Sequence, residues 1–166
     1  VRPFSDDGNP LRVEDWVNVA SFSAAPDVAI DAAGRITVVW RSDNLTHDGI
    51  WMRTYASDGT PGAHVQVDQH PSPFGDMTNP SITMDSAGNY IVVYEGSGDG
   101  DGLGVFARKY DASGTALTDE FQINQTATGT QHMASVAMLD TDYFVVVWSG
   151  NGPDDASGVF TDISVL

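Results

Sequence analysis

An internal repeat with a period of 54 residues extends through most of this 166-residue chain. Equivalent positions carry a proline or an alanine and, further along, a large aromatic residue: Pro26, Pro80 and Ala134; Trp40, Tyr94 and Trp148. A period that stays constant through two steps is typical of an array built from one supersecondary unit. The chain is therefore predicted to be a repeat protein whose fold follows from that of one unit.

Residues 80–124 are the clearest copy of the unit. Four short segments in it are rich in β-branched and aromatic residues, as strands are: Ser81–Asp85, Tyr90–Glu95, Val105–Tyr110 and Glu120–Asn124. Turns that begin with Asp and end with Gly, at 85–88 and 111–114, join the first strand to the second and the third to the fourth. Asp accepts hydrogen bonds from turn amides and Gly adopts the positive φ. The unit is predicted to be an up-and-down antiparallel sheet.

The period divides the chain, read as a single repeat domain, into three copies and a leading segment. Residues 26–79 and 80–133 are the first two copies, and residues 134–166 are a third copy that supplies three strands but no fourth. Residues 1–25 hold an orphan fourth strand, Val13–Val19, and a linker. We expect this strand to complete a third copy by pairing beside Val159–Val165, in the same chain or in another.

Composition agrees with an all-β protein and limits the classes of function. The chain has 17 Gly and 8 Pro, no helix-length amphipathic pattern and no apolar run near the roughly 18 residues of a membrane span. Its net charge of −16 argues against binding to nucleic acid or to anionic membranes. The absence of cysteine excludes disulfides and thiolate metal sites. We expect a secreted or cell-surface protein.

Three segments of two valines and an aromatic residue, together with the Asp-x-x-Gly hairpins, resemble the blades of bacterial extracellular β-propellers: Val38–Trp40, Val92–Tyr94 and Val146–Trp148. The resemblance covers nearly the whole chain. It implies sheets that are covered on both faces by neighbouring sheets, and it implies no particular activity.

Three copies fall short of the roughly four blades that a propeller needs, so three assemblies are considered. Two copies could form a six-bladed ring, each donating its orphan strand to the other, as small fucose-binding lectins of the propeller type build rings from incomplete chains. Three sheets could instead close as a β-prism with pseudo-threefold symmetry. The chain could also belong to a longer array, or to a filament formed by contacts that do not close.

The loops between the second and third strands are acidic and rich in glycine. Calcium takes about six to eight oxygen ligands, and alternating Asp residues can direct two carboxylates at one ion. Candidate calcium ligands in these loops are Asp43, Asp48, Asp99, Asp101, Asp154 and Asp155. The competing interpretation is that they form solvated hairpin turns, because no loop has the complete spacing of a helix-loop-helix calcium site.

The aromatic residues form two recurring sets and one outlier. Trp40, Tyr94 and Trp148 recur on the second strand, and Trp51, Phe106 and Phe160 recur on the third, which favours packing between sheets over the alternative of a surface that stacks against sugar rings. Trp16 lies outside both sets. Trp16 and Trp51 are the candidates for stacking against a sugar ring.

No catalytic motif is found: the sequence lacks a nucleophile elbow, a phosphate-binding loop and metal-type histidine spacing. The chain is therefore predicted not to be an enzyme. The leading hypothesis is an extracellular recognition module that binds carbohydrate, like a lectin. The alternative is a structural or adhesive repeat that associates with copies of itself and is stiffened by calcium.

Overall fold

The structure is a computed structural model, and it describes residues 7–8, 16–18, 23–43, 48–69, 77–152, 154–155 and 157–165. The described residues form three antiparallel sheets. The first sheet has the order β1-β2-β3-β4, with strands Ser23–Ile30, Ile36–Ser42, Gly49–Tyr55 and Pro61–Gln66. The second has the order β5-β6-β7-β8, with strands Thr78–Met84, Tyr90–Gly96, Gly104–Tyr110 and Phe121–Gln122. The third has the order β11-β10-β9, with strands Gln131–Asp140, Tyr143–Gly150 and Gly158–Val165.

The predicted all-β architecture is confirmed, with four strands in each of the first two sheets and three described strands in the third. The turns follow the predicted mechanism. The carboxylate of Asp85 accepts hydrogen bonds from the amides of Ala87 (2.9 Å) and Asn89 (2.8 Å). Asp31 and Asp111 accept equivalent bonds at their own turns. No helix long and apolar enough to cross a membrane occurs in the part of the chain that the structure describes.

The first strand of each sheet contains a bulge. Ala25, Asn79 and Met133 occupy equivalent repeat positions, and all three have positive φ, at 49°, 47° and 57°. The strand register shifts across each of these positions. The extra residue of a bulge bends its strand and re-aims the side chains beside it. In the second sheet, the first strand therefore begins at Thr78, on the far side of the bulge from the predicted start at Ser81.

The fourth strand of the second sheet is shorter than predicted. Only Phe121–Gln122 is a strand, in place of Glu120–Asn124. The backbone nevertheless continues beside β7, since the amide of Ile123 donates to the carbonyl of Val105 at 2.8 Å.

The three sheets stack face against face. We call the face that carries Val38, Val92 or Val146 the front face of each sheet, and the face that carries Val39, Val93 or Val147 the rear face. The rear of the first sheet packs on the front of the second, around Val39, Met52, Val67, Val92, Tyr94 and Tyr110. The rear of the second packs on the front of the third, around Ile91, Val93, Ala107, Phe144, Val146 and Trp148.

The second sheet is therefore covered on both faces, and every residue of its strand β6 is buried. This stacking is the arrangement of propeller blades. The β-prism alternative is wrong, because each sheet of a closed prism turns one face inward and the other outward, whereas here the second sheet packs against a neighbouring sheet on both faces.

The recurring aromatic residues of the second strand are buried as predicted, with Trp40, Tyr94 and Trp148 at 4%, 0% and 8% exposure. Each stands directly opposite an aromatic residue of the third strand: Trp51, Phe106 and Phe160, respectively. Tyr94 and Trp148 lie within the two cores. Trp40 is on the front of the first sheet, where the segment at residues 17–18 lies beside it.

Candidate functional site

A pocket of about 260 Å³ opens between the second and third sheets. The rings of Trp148 and Phe160 line it, with centroids 6.4 Å apart and planes inclined by 32°. Residues 123–126, which follow the fourth strand of the second sheet, and Asp162 of β11 also line it. The pocket thus combines two aromatic rings with polar residues and lies between two sheets.

The equivalent space between the first and second sheets is filled. Arg108 donates a hydrogen bond from Nη1 to the carbonyl of Val67 at 3.0 Å. The hydroxyl of Tyr94 donates to the carboxylate of Glu120. Gln69 and Glu120 exchange two further bonds: the amide of Gln69 donates to Oε2 at 3.0 Å, and the amide of Glu120 donates to Oε1 of Gln69 at 2.7 Å. A charged network therefore closes this first interface.

The 260 Å³ pocket is open for two physical reasons. Asp162 stands opposite Val146 as Arg108 stands opposite Val92, so an acceptor replaces the donor. In addition, the described part of the third sheet has no fourth strand to supply a counterpart of Glu120.

On the front of the first sheet, residues 17–18 make contacts that resemble those between two sheets. The carbonyl of Val17 is 2.7 Å from Nε2 of His64 and accepts a bond from Nη1 of Arg53 at 3.5 Å. Nδ2 of Asn18 donates to the hydroxyl of Ser23 at 3.0 Å. Of the predicted strand Val13–Val19, residues 16–18 are described. They are not in a strand and lie against the first sheet, away from β11; the remainder falls outside the described residues.

Burial controls the ionisation of the groups at these interfaces. It raises the pKa of the Tyr94 phenol, and the negative charge of Asp68 raises it further. The phenol therefore stays protonated and remains a donor to Glu120. Burial lowers the pKa of Lys109, whose Nζ donates to the carbonyl of Thr141 at 2.7 Å and lies 4.7 Å from the centroid of a phenyl ring in the third sheet.

Glu95 is a buried polar residue that sequence reasoning missed. It is 1% exposed and accepts hydrogen bonds from the amide of Met133 at 2.5 Å and from Nδ2 of Asn79 at 3.0 Å. Its carboxylate thus joins two of the bulges across the second interface. The repeat gave no signal for it, because the equivalent residues are Arg41 and Ser149.

The predicted calcium ligands are engaged with protein donors or lie apart. Asp99 accepts a hydrogen bond from Nδ2 of Asn124 at 3.0 Å, and Asp101 accepts one from the amide of Gly129 at 3.2 Å. Asp43 forms an ion pair with Arg41 at 2.9 Å, and Asp155 accepts a hydrogen bond from the amide of Ser157 at 3.0 Å. Asp154 is exposed to solvent, and Asp48 is half-buried. Within the described ranges, no group of three or more His, Asp or Glu side chains is arranged to hold a metal ion. The calcium site stays a prediction.

The predicted sugar-stacking residues belong to one side of the molecule. Trp51 is half-buried opposite Trp40, and Trp16 is 83% exposed next to Val17 on the front of the first sheet. Neither lines the pocket between the second and third sheets. Of the residues that do line it, Trp148 and Phe160 were predicted to be packing residues, and the others were not predicted to bind a ligand.

No protein-family model matches the chain, and no curated protein sequence matches it. Solved structures do match. A protein of unknown function from Dyadobacter fermentans DSM 18053 aligns over 95% of this chain at 17% identity with a TM-score of 0.58. An endo-arabinase from Bacteroides thetaiotaomicron aligns over 98% at 14% identity with a TM-score of 0.54. A thermostable family-43 glycoside hydrolase aligns over 98% at 14% identity with a TM-score of 0.52.

This chain spans 41%, 63% and 65% of those three chains, respectively. Sequence identity at this level shows a shared fold alone. The three antiparallel sheets therefore match part of a β-propeller, as the sequence resemblance implied.

Proposed function

We propose that this chain is a non-enzymatic extracellular repeat module that associates with copies of itself through its two outer faces. The single observation that carries the proposal is that these outer faces repeat the faces that already bind one another inside the chain.

The rear face of the third sheet exposes side chains whose counterparts in the other two sheets are buried. Val39 and Val93 are both fully buried, whereas Val147, at the same repeat position, is 40% exposed. Ile50 and Val105 are likewise fully buried, and their counterpart Val159 is 78% exposed. The third sheet thus presents to solvent the same β-branched surface that the first two sheets present to a neighbouring sheet.

The front face of the first sheet likewise exposes side chains whose counterparts in the other two sheets pack in the cores. Ile82 and Met84 of the second sheet pack into the first core, and the third sheet places Val136 and Met138 in the second core in the same way. Their counterparts in the first sheet, Val28 and Ile30, are 57% and 64% exposed.

Stacking the rear face of one copy on the front face of another would extend the array by the contact that it already uses twice. Contiguous exposed apolar patches are uncommon on monomeric proteins and often mark interaction sites. Burying one Val or Ile side chain completely is worth about 1.5–3 kcal/mol, so several on each face supply a substantial driving force. The heterologous contact closes into a ring if the rotation allows and otherwise forms a filament.

The experiment is the mass of the chain in solution together with a matched pair of substitutions. Val147→Asp puts a charge on the rear face of the third sheet and is expected to abolish association. Leu117→Asp changes a comparably exposed apolar residue away from both faces and is expected to leave association intact. Association that survives Val147→Asp would reject this interface.

Carbohydrate recognition is the second candidate, and the pocket between the second and third sheets favours it. A sugar ring has an apolar C–H face and hydroxyls at its edge, which suits the Trp148 and Phe160 rings beside the side chains of Gln125, Asn151 and Asp162. Two of the solved structures that share the fold are named as an endo-arabinase and a glycoside hydrolase, which supports carbohydrate as the ligand class only by analogy of fold.

The test of this candidate is binding to a glycan array, followed by titration of any positive sugar. Phe160→Ala is expected to remove binding, whereas Trp51→Ala, on the first sheet, is expected to retain it. No binding to the array, or binding that survives Phe160→Ala, would reject the pocket as a sugar site.

A further inference from the structure

We infer that the segment at residues 16–18 acts as the end of a fourth strand for the third sheet of a second copy, where it pairs with the outer edge of β11. This inference rests on the proposed self-association and names the residues that join the two copies. The pocket between the second and third sheets is then the space beside this junction.

Val17 makes the contact with the first sheet that Val67 makes with the second sheet. Arg53 and Arg108 are equivalent, because they stand opposite Val38 and Val92. Arg108 donates to the carbonyl of Val67, which follows the fourth strand of the sheet in front of it. Arg53 donates in the same way to the carbonyl of Val17. Val17 therefore lies in front of the first sheet as Val67 lies in front of the second. This is the position that the end of a fourth strand would occupy if another sheet were stacked in front of the first sheet.

The surroundings of the buried indoles give the same assignment. Val17 and Asn18 lie beside Trp40 in a small pocket. Ile123 and Asn124, at the end of the second sheet's fourth strand, lie beside the equivalent Trp148. In both places an apolar residue and then an asparagine face the indole of the next sheet.

The outer edges of the third strands β3 and β7 are bound by the same pair of hydrogen bonds. In the first sheet, the amide of Val67 donates to the carbonyl of Ile50 at 2.8 Å, and the carboxylate of Asp68 accepts from the amide of Ile50 at 2.6 Å. In the second sheet, Ile123 and Asn124 hold Val105 by the same pair of bonds, both at 2.8 Å. In both sheets, an apolar residue thus donates its backbone amide to the third strand, and the next residue accepts a hydrogen bond with its side-chain oxygen.

Val159 is the equivalent residue of β11. It stands opposite Ser149, as Ile50 stands opposite Arg41 and Val105 opposite Glu95. Among the described residues, β11 has a neighbouring strand on one side only. Val17 and Asn18 have the same order of groups. Val17 supplies a backbone amide as donor, and Asn18 supplies a side-chain oxygen as acceptor, so the pair can bind the backbone of Val159 in the same way.

The partner must be a second copy. Residues 16–18 lie on the front of the first sheet, β11 belongs to the third, and the second sheet stands between them. When the rear of one copy's third sheet stacks on the front of another copy's first sheet, the second copy's Val17 and the first copy's Val159 come to the same interface. The face contact and the strand contact therefore require the same head-to-tail arrangement.

Cysteine cross-linking tests this directly, because the chain contains no cysteine. Asn18→Cys and Val159→Cys are prepared as separate proteins, mixed and oxidised mildly. A disulfide needs Cα atoms within about 4.4–6.8 Å, so a covalent dimer of one of each variant is expected. Asn18→Cys mixed with Leu117→Cys is the matched control and is expected to give only background.

A second variant covers the case in which a cysteine disturbs the site. Asn18→Ala removes the side-chain oxygen and is expected to weaken self-association roughly tenfold, the effect of one buried hydrogen bond left unmade. Asn18→Asp copies Asp68 and is expected to restore association. Circular dichroism confirms that each variant is folded.

The outcomes separate this inference from the function on which it rests. Association without the cross-link, and without an effect of Asn18→Ala, would overturn the strand junction while leaving the face contact standing. A monomeric wild-type chain would overturn both. Cross-linking together with the Asn18→Ala effect supports both.

Discussion

Arg108 of the second sheet donates a hydrogen bond from Nη1 to the carbonyl oxygen of Val67 in the first sheet, at 3.0 Å. The same contact occurs between Arg53 and Val17, at 3.5 Å. At the third equivalent position Asp162 replaces the arginine, and a pocket is found there. The residue at this repeat position, together with the fourth strand, thus contributes to closing an interface between sheets.

Arg108→Leu is predicted to destabilise the fold by about 1.5–3 kcal/mol, the range for a hydrogen bond made by a charged group. Arg53→Leu is the matched control and should cost less than about 1 kcal/mol, because its contact with Val17 is longer and weaker. Urea denaturation measures both. Equal losses of unfolding free energy would contradict the role given to the Arg108 contact.

Asp162→Arg is predicted to close the pocket by restoring the donor, since its guanidinium would lie near the carbonyl of Ile123 as that of Arg108 lies near Val67. The melting temperature should rise or stay level. Any sugar binding found for the wild type should be lost. Retained binding would show that the sugar occupies another site.

Trp148→Ala is predicted to cost about 3–5 kcal/mol, the range for a large aromatic side chain removed from a core. The indole is 8% exposed and packs between the second and third sheets. Trp16→Ala, at 83% exposure, is the control and should leave the unfolding free energy almost unchanged. A Trp148 variant as stable as the control would move this residue out of the core.

Stability is predicted to fall in alkaline solution because of the buried phenols. Burial raises the pKa of Tyr110 to about 12, and it also raises the pKa values of Tyr90 and Tyr94. A group whose pKa is raised on folding stabilises the fold fully below its unfolded pKa, near 10 for tyrosine, and loses that contribution as the pH rises through the folded value. Unfolding free energy measured from about pH 8 to 12 should decline above about pH 10. Tyr110→Phe should decline less steeply; an identical decline would reject this cause.

The calcium hypothesis predicts that chelator lowers the thermal stability of the chain. A ligand bound only to the folded state contributes about 2.7 kcal/mol at a hundredfold excess over its Kd. Asp99→Asn combined with Asp101→Asn should then abolish the effect of chelator. An unchanged melting curve in excess chelator would leave these residues as hydrogen-bond acceptors for Asn124 and Gly129.

Repetition explains which features were predictable from the sequence. Val39, Val93 and Val147 occupy the same position in three copies of the repeat, so the strand pattern is visible three times and does not depend on any single segment. Asp turns such as Asp85 have a local mechanism that needs no tertiary information. Sheets, hairpins and buried aromatic positions were therefore predictable.

The bulges, the buried Glu95 and the pocket were not predicted, because they depend on contacts between sheets that the local sequence does not indicate. Ala25, Asn79 and Met133 adopt positive φ without being glycine, so the turn chemistry of the sequence does not mark the bulges. Glu95 is buried because two bulges from different sheets donate to it. The pocket depends on what is placed opposite Asp162, and only the stacked sheets reveal that.

The most direct test of the account is the mass of the chain in solution, measured by analytical ultracentrifugation over a wide range of concentration. We expect species at multiples of 17.7 kDa whose proportion rises with concentration, and we expect these species to be lost in Val147→Asp but not in Leu117→Asp. A single 17.7 kDa species at every concentration would contradict it.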